Sequence, residues 1–200
     1  MDSYSALKTE LVSWLNRENF TTLVDKAGTF LDMAQRKIYR ECDLKCMEAT
    51  ATGTTADLSL PSDFLRTKAL YITNGSTTQE VTGGSYHNTL PRTGTDTPIK
   101  YNIVGTTMVL KPSPDQAYDW YLVYYKSLPL LSDANTTNWF TTHNPEMILF
   151  SALAEASMFL KDDARTQMWE QRFISVKEAQ EKSDLRSDKE YGGMAVRVAD

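Results

Sequence analysis

The spacing of apolar residues changes twice along this chain, and each change limits the folds open to it. Up to about Cys46 they recur with helical spacing: Leu7, Leu11, Trp14 and Leu15 form one stripe, and Phe20, Leu23, Ala27, Phe30, Leu31, Ala34 and Ile38 a longer one. That is the period of a helix with one buried face. Asn16 to Asn19 separate the stripes, and Thr22 with Asp25 has the spacing of a capping box, so two helices are expected. Gly28 inside the second predicts a close packing contact or a bend, because glycine costs a helix about 1 kcal/mol relative to alanine.

From Met47 to about Leu131 the helical period is lost and Thr and Gly become frequent. Leu58 and Leu60 alternate with polar neighbours, Ala69 to Ile72 ends at the turn signal Asn74-Gly75, and Tyr101, Ile103 and Met108, Leu110 flank Gly105-Thr106 as in a hairpin. In the stretch Tyr118 to Tyr125, Tyr118, Trp120, Leu122 and Tyr124 share one face, while Tyr121, Val123 and Tyr125 share the other. A strand apolar on both faces is expected to be central or covered by a partner. The stretch from Gln79 to Pro98, rich in Gly, Thr and Pro, reads as a long exposed loop that reaches past the domain body.

Helical spacing returns from Asn138. Thr142 or Asn144 is expected to cap a helix, Pro145 suits its first position, and Ile148, Leu149, Ala152, Leu153, Ala156, Phe159 and Leu160 form its stripe. Lys161-Asp162-Asp163 links it to a second helix whose Met168, Trp169, Phe173 and Val176 face inward, so the two pack as an antiparallel hairpin. After about Ser183 no stripe continues, and 184–200 reads as an extended tail. The fold class is therefore α+β: an antiparallel helical bundle (about 4–46 and 144–183) with a small antiparallel β-sheet inserted over about 47–131, in one domain spanning 1–183.

Little in this pattern points to chemistry. His87 and His143 are the only histidines, one in the loop and one beside a helix start, and no nucleophile motif surrounds either. Cys42 and Cys46, four apart on the predicted second helix, would supply half a zinc site, but no second pair completes it. Asp162 and Asp163 read as helix caps. Catalytic, cofactor-binding and metal residues are thus all assigned as none, and a hydrolase using His143 with Asp162 or Asp163 is the weakest reading. With 26 acidic against 21 basic residues the net charge is -5, opposite in sign to that of a protein that grips nucleic acid through its backbone. A nucleic-acid module stacking bases on the aromatic strand 118–125 stays as the alternative. No apolar run approaches membrane-spanning length, the start Met1-Asp2-Ser3-Tyr4 does not resemble a secretory signal, and the two cysteines fit a reducing compartment.

One ordered series of segments stands out: Leu60-Pro61-Ser62-Asp63-Phe64-Leu65, then Tyr101 to Pro112, Tyr121 to Lys126, Leu128 to Asp133, Thr137 to Phe140, and the hairpin Ile148 to Trp169. Over roughly 60–183 the series resembles the head-to-tail adaptor (connector) proteins of tailed bacteriophages. The resemblance implies a structural virion protein at the neck, made in the host cytoplasm, with no catalytic residues and no cofactor. It further implies a homo-oligomeric ring, typically twelvefold, below the portal, with portal, tail or nozzle protein and further copies of itself as partners. DNA would pass through without specific binding, and no membrane is involved. Arg186, Tyr191, Met194, Val196, Arg197 and Val198 in the tail are the expected contacts to the portal or a neighbouring subunit, with Met194, Val196 and Val198 alternating as in an added strand. Asp25, Asp32, Glu170, Glu178 and Glu181 are the candidate carboxylates facing the DNA ejection channel.

Overall fold

The computed structural model describes residues 1–16, 20–84 and 94–192, with side chains described through Ser187. The chain divides into two compact units, one formed by Met1–Cys46 with the chain from Leu128 onward, the other by Met47–Ser127. The β segment is thus an insertion between helical segments, and each unit has its own packing.

The helical unit contains α1 (Tyr4–Trp14), α2 (Thr21–Glu41), α3 (Trp139–His143), α4 (Pro145–Phe159) and α5 (Asp163–Gly192). Helix α4 packs against each of the other four. It is buried on nearly every side, from Met147 through Ala154, as expected of a helix without a polar face. Leu7, Leu11, Leu23, Leu31 and Ile38 are fully buried, so most of both N-terminal stripes faces the core as their spacing predicts, but Trp14 and Phe20, at the end of the first stripe and the start of the second, are exposed. Gly28 marks a close contact: a Cβ there would lie 2.5 Å from Tyr4 Oη, where α1 meets α2. Asn16 (φ 52°) follows the end of α1 and Lys161 (φ 57°) follows that of α4, both in the left-handed conformation that turns a chain off a helix.

Several local expectations are corrected. Thr22 and Asp25 form no capping box; α2 starts after Phe20 without a side-chain cap, and tertiary packing of its long apolar face replaces one. The cap of α3 is Asn138, whose Oδ1 accepts from Thr141 N while Thr141 Oγ1 accepts from Asn138 N. Asn144 precedes α4 but caps nothing with its side chain, which donates from Nδ2 to Gln180 Oε1 on α5. Met168 is 42% exposed, not inward, while Trp169 and Phe173 are buried. Helix α5 runs through Gly192, past the Ser183 where the apolar stripe stops, so 184–192 is helical and not extended. A polar helix needs no buried face when its side chains pair along its own surface and with a neighbouring segment.

The β unit holds β1 (Glu48–Thr54), β2 (Phe64–Asn74), β3 (Thr77–Glu80), β4 (Thr82–Gly83), β5 (Lys100–Val104), β6 (Thr107–Lys111) and β7 (Asp119–Lys126). Four strands make an antiparallel sheet in the order β1-β7-β2-β3, and three make a second sheet, β4-β5-β6, in which β4 and β5 run parallel. The central placement of β7 accounts for its aromatic sequence. Leu70 and Ile72 of β2 and Trp120, Leu122 and Tyr124 of β7 share one core with Met108 and Leu110 of β6, so both sheets bury their facing sides together. Gly75 (φ 58°) and Gly105 (φ 61°) close the two hairpins at the expected turns. The stretch expected as one loop from Gln79 to Pro98 is partly sheet: β3 and β4 occupy its start, and Thr95 bridges to Ser113 near its end. Residues 85–93, His87 among them, lie outside the described residues. Leu58 and Leu60 form no strand of their own but run beside β6.

Candidate functional site

His143 is the last residue of α3, its ring stacked on Trp139 at 4.9 Å and 10° and its Nδ1 3.1 Å from Trp139 O. Asp162 sits beyond the far end of α4, where Oδ1 accepts from Arg165 N at 3.1 Å and Oδ2 pairs with the guanidinium at 3.3 Å. The 15 residues of α4 separate the two groups by about 22 Å of helix. No acid–base pair exists there, and the hydrolase reading fails on distance.

The two cysteines do not share a helical face either. Cys42 follows the last turn of α2 with extended backbone, and Cys46 lies in a short 3-10 turn. Burial, and then the nearby Asp184 carboxylate, push the Cys46 thiol up to about 12, which keeps it protonated at neutral pH. Among the described residues no group of His, Cys, Asp and Glu side chains is arranged to hold a metal ion.

Four of the five candidate channel carboxylates are paired with cations. Asp32 meets Arg36 Nε at 2.8 Å, Glu170 meets Lys37 Nζ at 2.5 Å, Glu178 meets Lys182 at 3.5 Å and Glu181 meets Lys177 at 3.9 Å. Asp25 is exposed and has no ion pair among the described residues. Of the tail residues, Arg186 is exposed on α5 and Tyr191 lies on its last turn, while Met194, Val196, Arg197 and Val198 lie outside the described residues.

What the helical unit presents to solvent is apolar in places. Trp14 (45% exposed) packs tilted against Phe150 and Trp169, and Met158 (57%) and Leu185 (60%) stand largely free. The sequence model of the SU10 adaptor protein family matches residues 2–198.

The chain belongs to the SU10 adaptor protein family. It is a phage head-to-tail adaptor, a structural component of the virion, and the family is not one of enzymes. A comparison with curated proteins gives no match.

For an SU10-type adaptor the aromatic strand has a structural task. Tyr118, Trp120, Leu122 and Tyr124 are buried in the core of the β unit, so they offer no face on which bases could stack. That corrects the nucleic-acid alternative for this face of the strand.

Two sets of residues that fix the adaptor's shape carried no signal in the sequence. Gln35 is completely buried; its Nε2 donates to Leu31 O at 3.3 Å, and its Oε1 accepts from Leu131 N at 2.9 Å and Asn138 Nδ2 at 3.4 Å. With Tyr39 Oη donating to Leu128 O at 2.8 Å, it ties segment 128–138 to α2. Asp184 accepts from Lys45 N at 2.8 Å and from Gln180 Nε2 at 2.9 Å, and Lys45 Nζ donates to Ser187 Oγ at 2.8 Å. Lys177 Nζ reaches Glu41 O at 2.7 Å, which satisfies a carbonyl at the end of α2. These bonds hold the far half of α5 in place without an apolar stripe. Only spatial neighbours show why a polar run such as Gln180 to Ser187 stays helical.

Proposed function

We propose that this adaptor assembles as a ring, of about twelve copies by analogy with head-to-tail connectors, below the portal, and joins the portal to the tail. The observation that carries the reading is the family match over residues 2–198, supported by the exposed apolar side chains of the helical unit. A ring buries such side chains through the same heterologous contact repeated until it closes. In this reading Arg186, Tyr191, Met194, Val196, Arg197 and Val198 reach a neighbouring subunit or the portal. The position of the ring is the neck of the virion.

Asp25, Asp32, Glu170, Glu178 and Glu181 are proposed to face the DNA channel. The pairing of the last four with Arg36, Lys37, Lys182 and Lys177 refines the electrostatic argument. A wall of paired charges neither binds phosphates tightly nor repels them strongly, and beyond a Debye length of ~8 Å its field is screened. Such a wall lets DNA slide, whereas a surface of unpaired lysines would hold it by counterion release.

Electron microscopy of the protein mixed with purified portal rings tests the proposal. An annular density stacked on one end of the portal is expected. A protein that forms no annular assembly, alone or with portal, contradicts the proposal.

A further inference from the structure

The two outer faces of the β unit carry uncompensated charges of opposite sign. In the three-stranded sheet, Met108 and Leu110 of β6 point into the core, so Thr107, Val109 and Lys111 point outward, and their partners Val104, Asn102 and Lys100 on β5 share that face. Lys100 lies directly opposite Lys111. Like charges in that position destabilise a strand pair. No acid offsets them: among the described residues neither lysine side chain has an ion pair or a hydrogen bond, and the sequence from Val81 to Thr95 contains no Asp or Glu. Asp57, on the segment that borders β6, accepts from Ser59 N at 2.9 Å instead. Beside the lysines the face is apolar, with Val109 half-buried and Val104 53% exposed.

The four-stranded sheet shows the reverse. Leu70 and Ile72 of β2 and Trp120 and Leu122 of β7 face the core, so Tyr71, Asp119, Tyr121 and Val123 face outward. The register places Tyr71 between Tyr121 and Glu80 of β3. Glu80 and Asp119 are exposed, and among the described residues neither side chain has an ion pair or a hydrogen bond. At the far end of the same face Glu48 pairs with Lys68 at 2.6 Å, so the uncompensated acids are the two beside Tyr71 and Tyr121.

We propose that these two faces meet between copies of the chain. The Lys100–Lys111 face of one copy packs on the Tyr71–Tyr121 face of the next, with Lys100 and Lys111 pairing with Asp119 and Glu80, and Val104 and Val109 covering the tyrosine rings. The two sheets bury their facing sides together, so the outer faces lie on opposite sides of the β unit. A contact between them is therefore head-to-tail, the kind that repeats until a ring closes. An acidic partner also turns the unfavourable pairing of two lysines into a favourable one on assembly. This contact rests on the ring reading, because the second face belongs to another subunit.

Two charge-reversed full-length variants test it. Lys100→Glu with Lys111→Glu makes both faces acidic, and Glu80→Lys with Asp119→Lys makes both basic. Each variant alone is expected to need about tenfold more protein than the wild type to form rings, with or without portal, as read by sedimentation and microscopy. An equimolar mixture is expected to regain wild-type assembly, because every acidic face then meets a basic one in alternating copies. Circular dichroism and melting temperature like the wild type's, measured on each dilute variant, report that the chain is folded. Wild-type assembly by either variant alone would overturn the contact and leave the ring intact. Loss in both without recovery in the mixture would also overturn it, and would assign the lysines to another acidic partner, such as DNA phosphates. A wild-type chain that never assembles would overturn both the contact and the ring.

Discussion

A Cβ placed on Gly53 would lie 2.5 Å from Trp120 Cζ2, and the ring cannot move aside because its Nε1 donates to Thr54 O and Asp57 O. Gly53→Ala is therefore expected to cost about 1–3 kcal/mol, the range for overpacking a tight contact, as measured by urea unfolding. Gln35→Ala is expected to destabilise by a similar amount, about 1–3 kcal/mol, because Leu131 N would lose its acceptor inside the protein. Lys161 gives the opposite sign. It is exposed and left-handed, so Lys161→Gly relieves backbone strain and is expected to raise stability by up to about 1 kcal/mol, visible as a higher melting temperature. Cys46 adds a pH dependence. Its thiol titrates at about 12 in the folded protein against an ordinary 9.0, so the stabilisation it provides is complete below pH 9. It declines between pH 9 and 12, where the unfolded chain loses that proton first. Alkylation of Cys46 at pH 8 is accordingly expected to be slow in native protein and fast in denaturant.

Helix α5 is the element whose extent matters most to assembly. Residues 184–192 belong to the helix, and Asp184 and Ser187 bind Lys45, so two truncations are expected to behave differently. Removing 193–200 should leave the melting temperature unchanged while weakening portal or neighbour attachment. Removing 184–200 should lower the melting temperature as well, because Lys45 N loses its acceptor. Equal melting temperatures for the two truncations would argue that the bonds between α5 and Lys45 contribute nothing. At the start of α5, Lys37 places its Nζ between Glu170 and the Phe173 ring, which fixes α5 beside α2 by one partly buried cation.

At the scale of the molecule, the β unit is bounded by its own first and last strands. Glu48 pairs with Tyr125, so the unit begins and ends at adjacent points about 5 Å apart. Its core is drawn from its own residues. Residues 47–127 are therefore expected to fold as a separate fragment with a β-type circular dichroism spectrum. A chain in which a short Gly-Ser linker replaces them is expected to keep its helical bundle. For the adaptor this means that surfaces on one unit can vary without dismantling the other.

Period and composition alone determined that helices bracket a β insertion, that β7 lies inside a sheet, and that α4 with α5 forms a hairpin. Each follows from where apolar side chains recur, and burial of apolar surface is a local, additive preference that a pattern records. Four outcomes were decided only by tertiary structure: the missing cap of α2, the extension of α5 to Gly192, the sheet built into the expected loop, and the buried Gln35. The cap of α2 gave way to packing of its apolar face, while in α5 and at Gln35 a polar group found its partner far along the chain, as Asp184 did in Lys45 and Gln35 in Leu131. A hydrogen bond depends on direction and distance between groups that the sequence lists far apart, so the fold must exist before such a bond can be read.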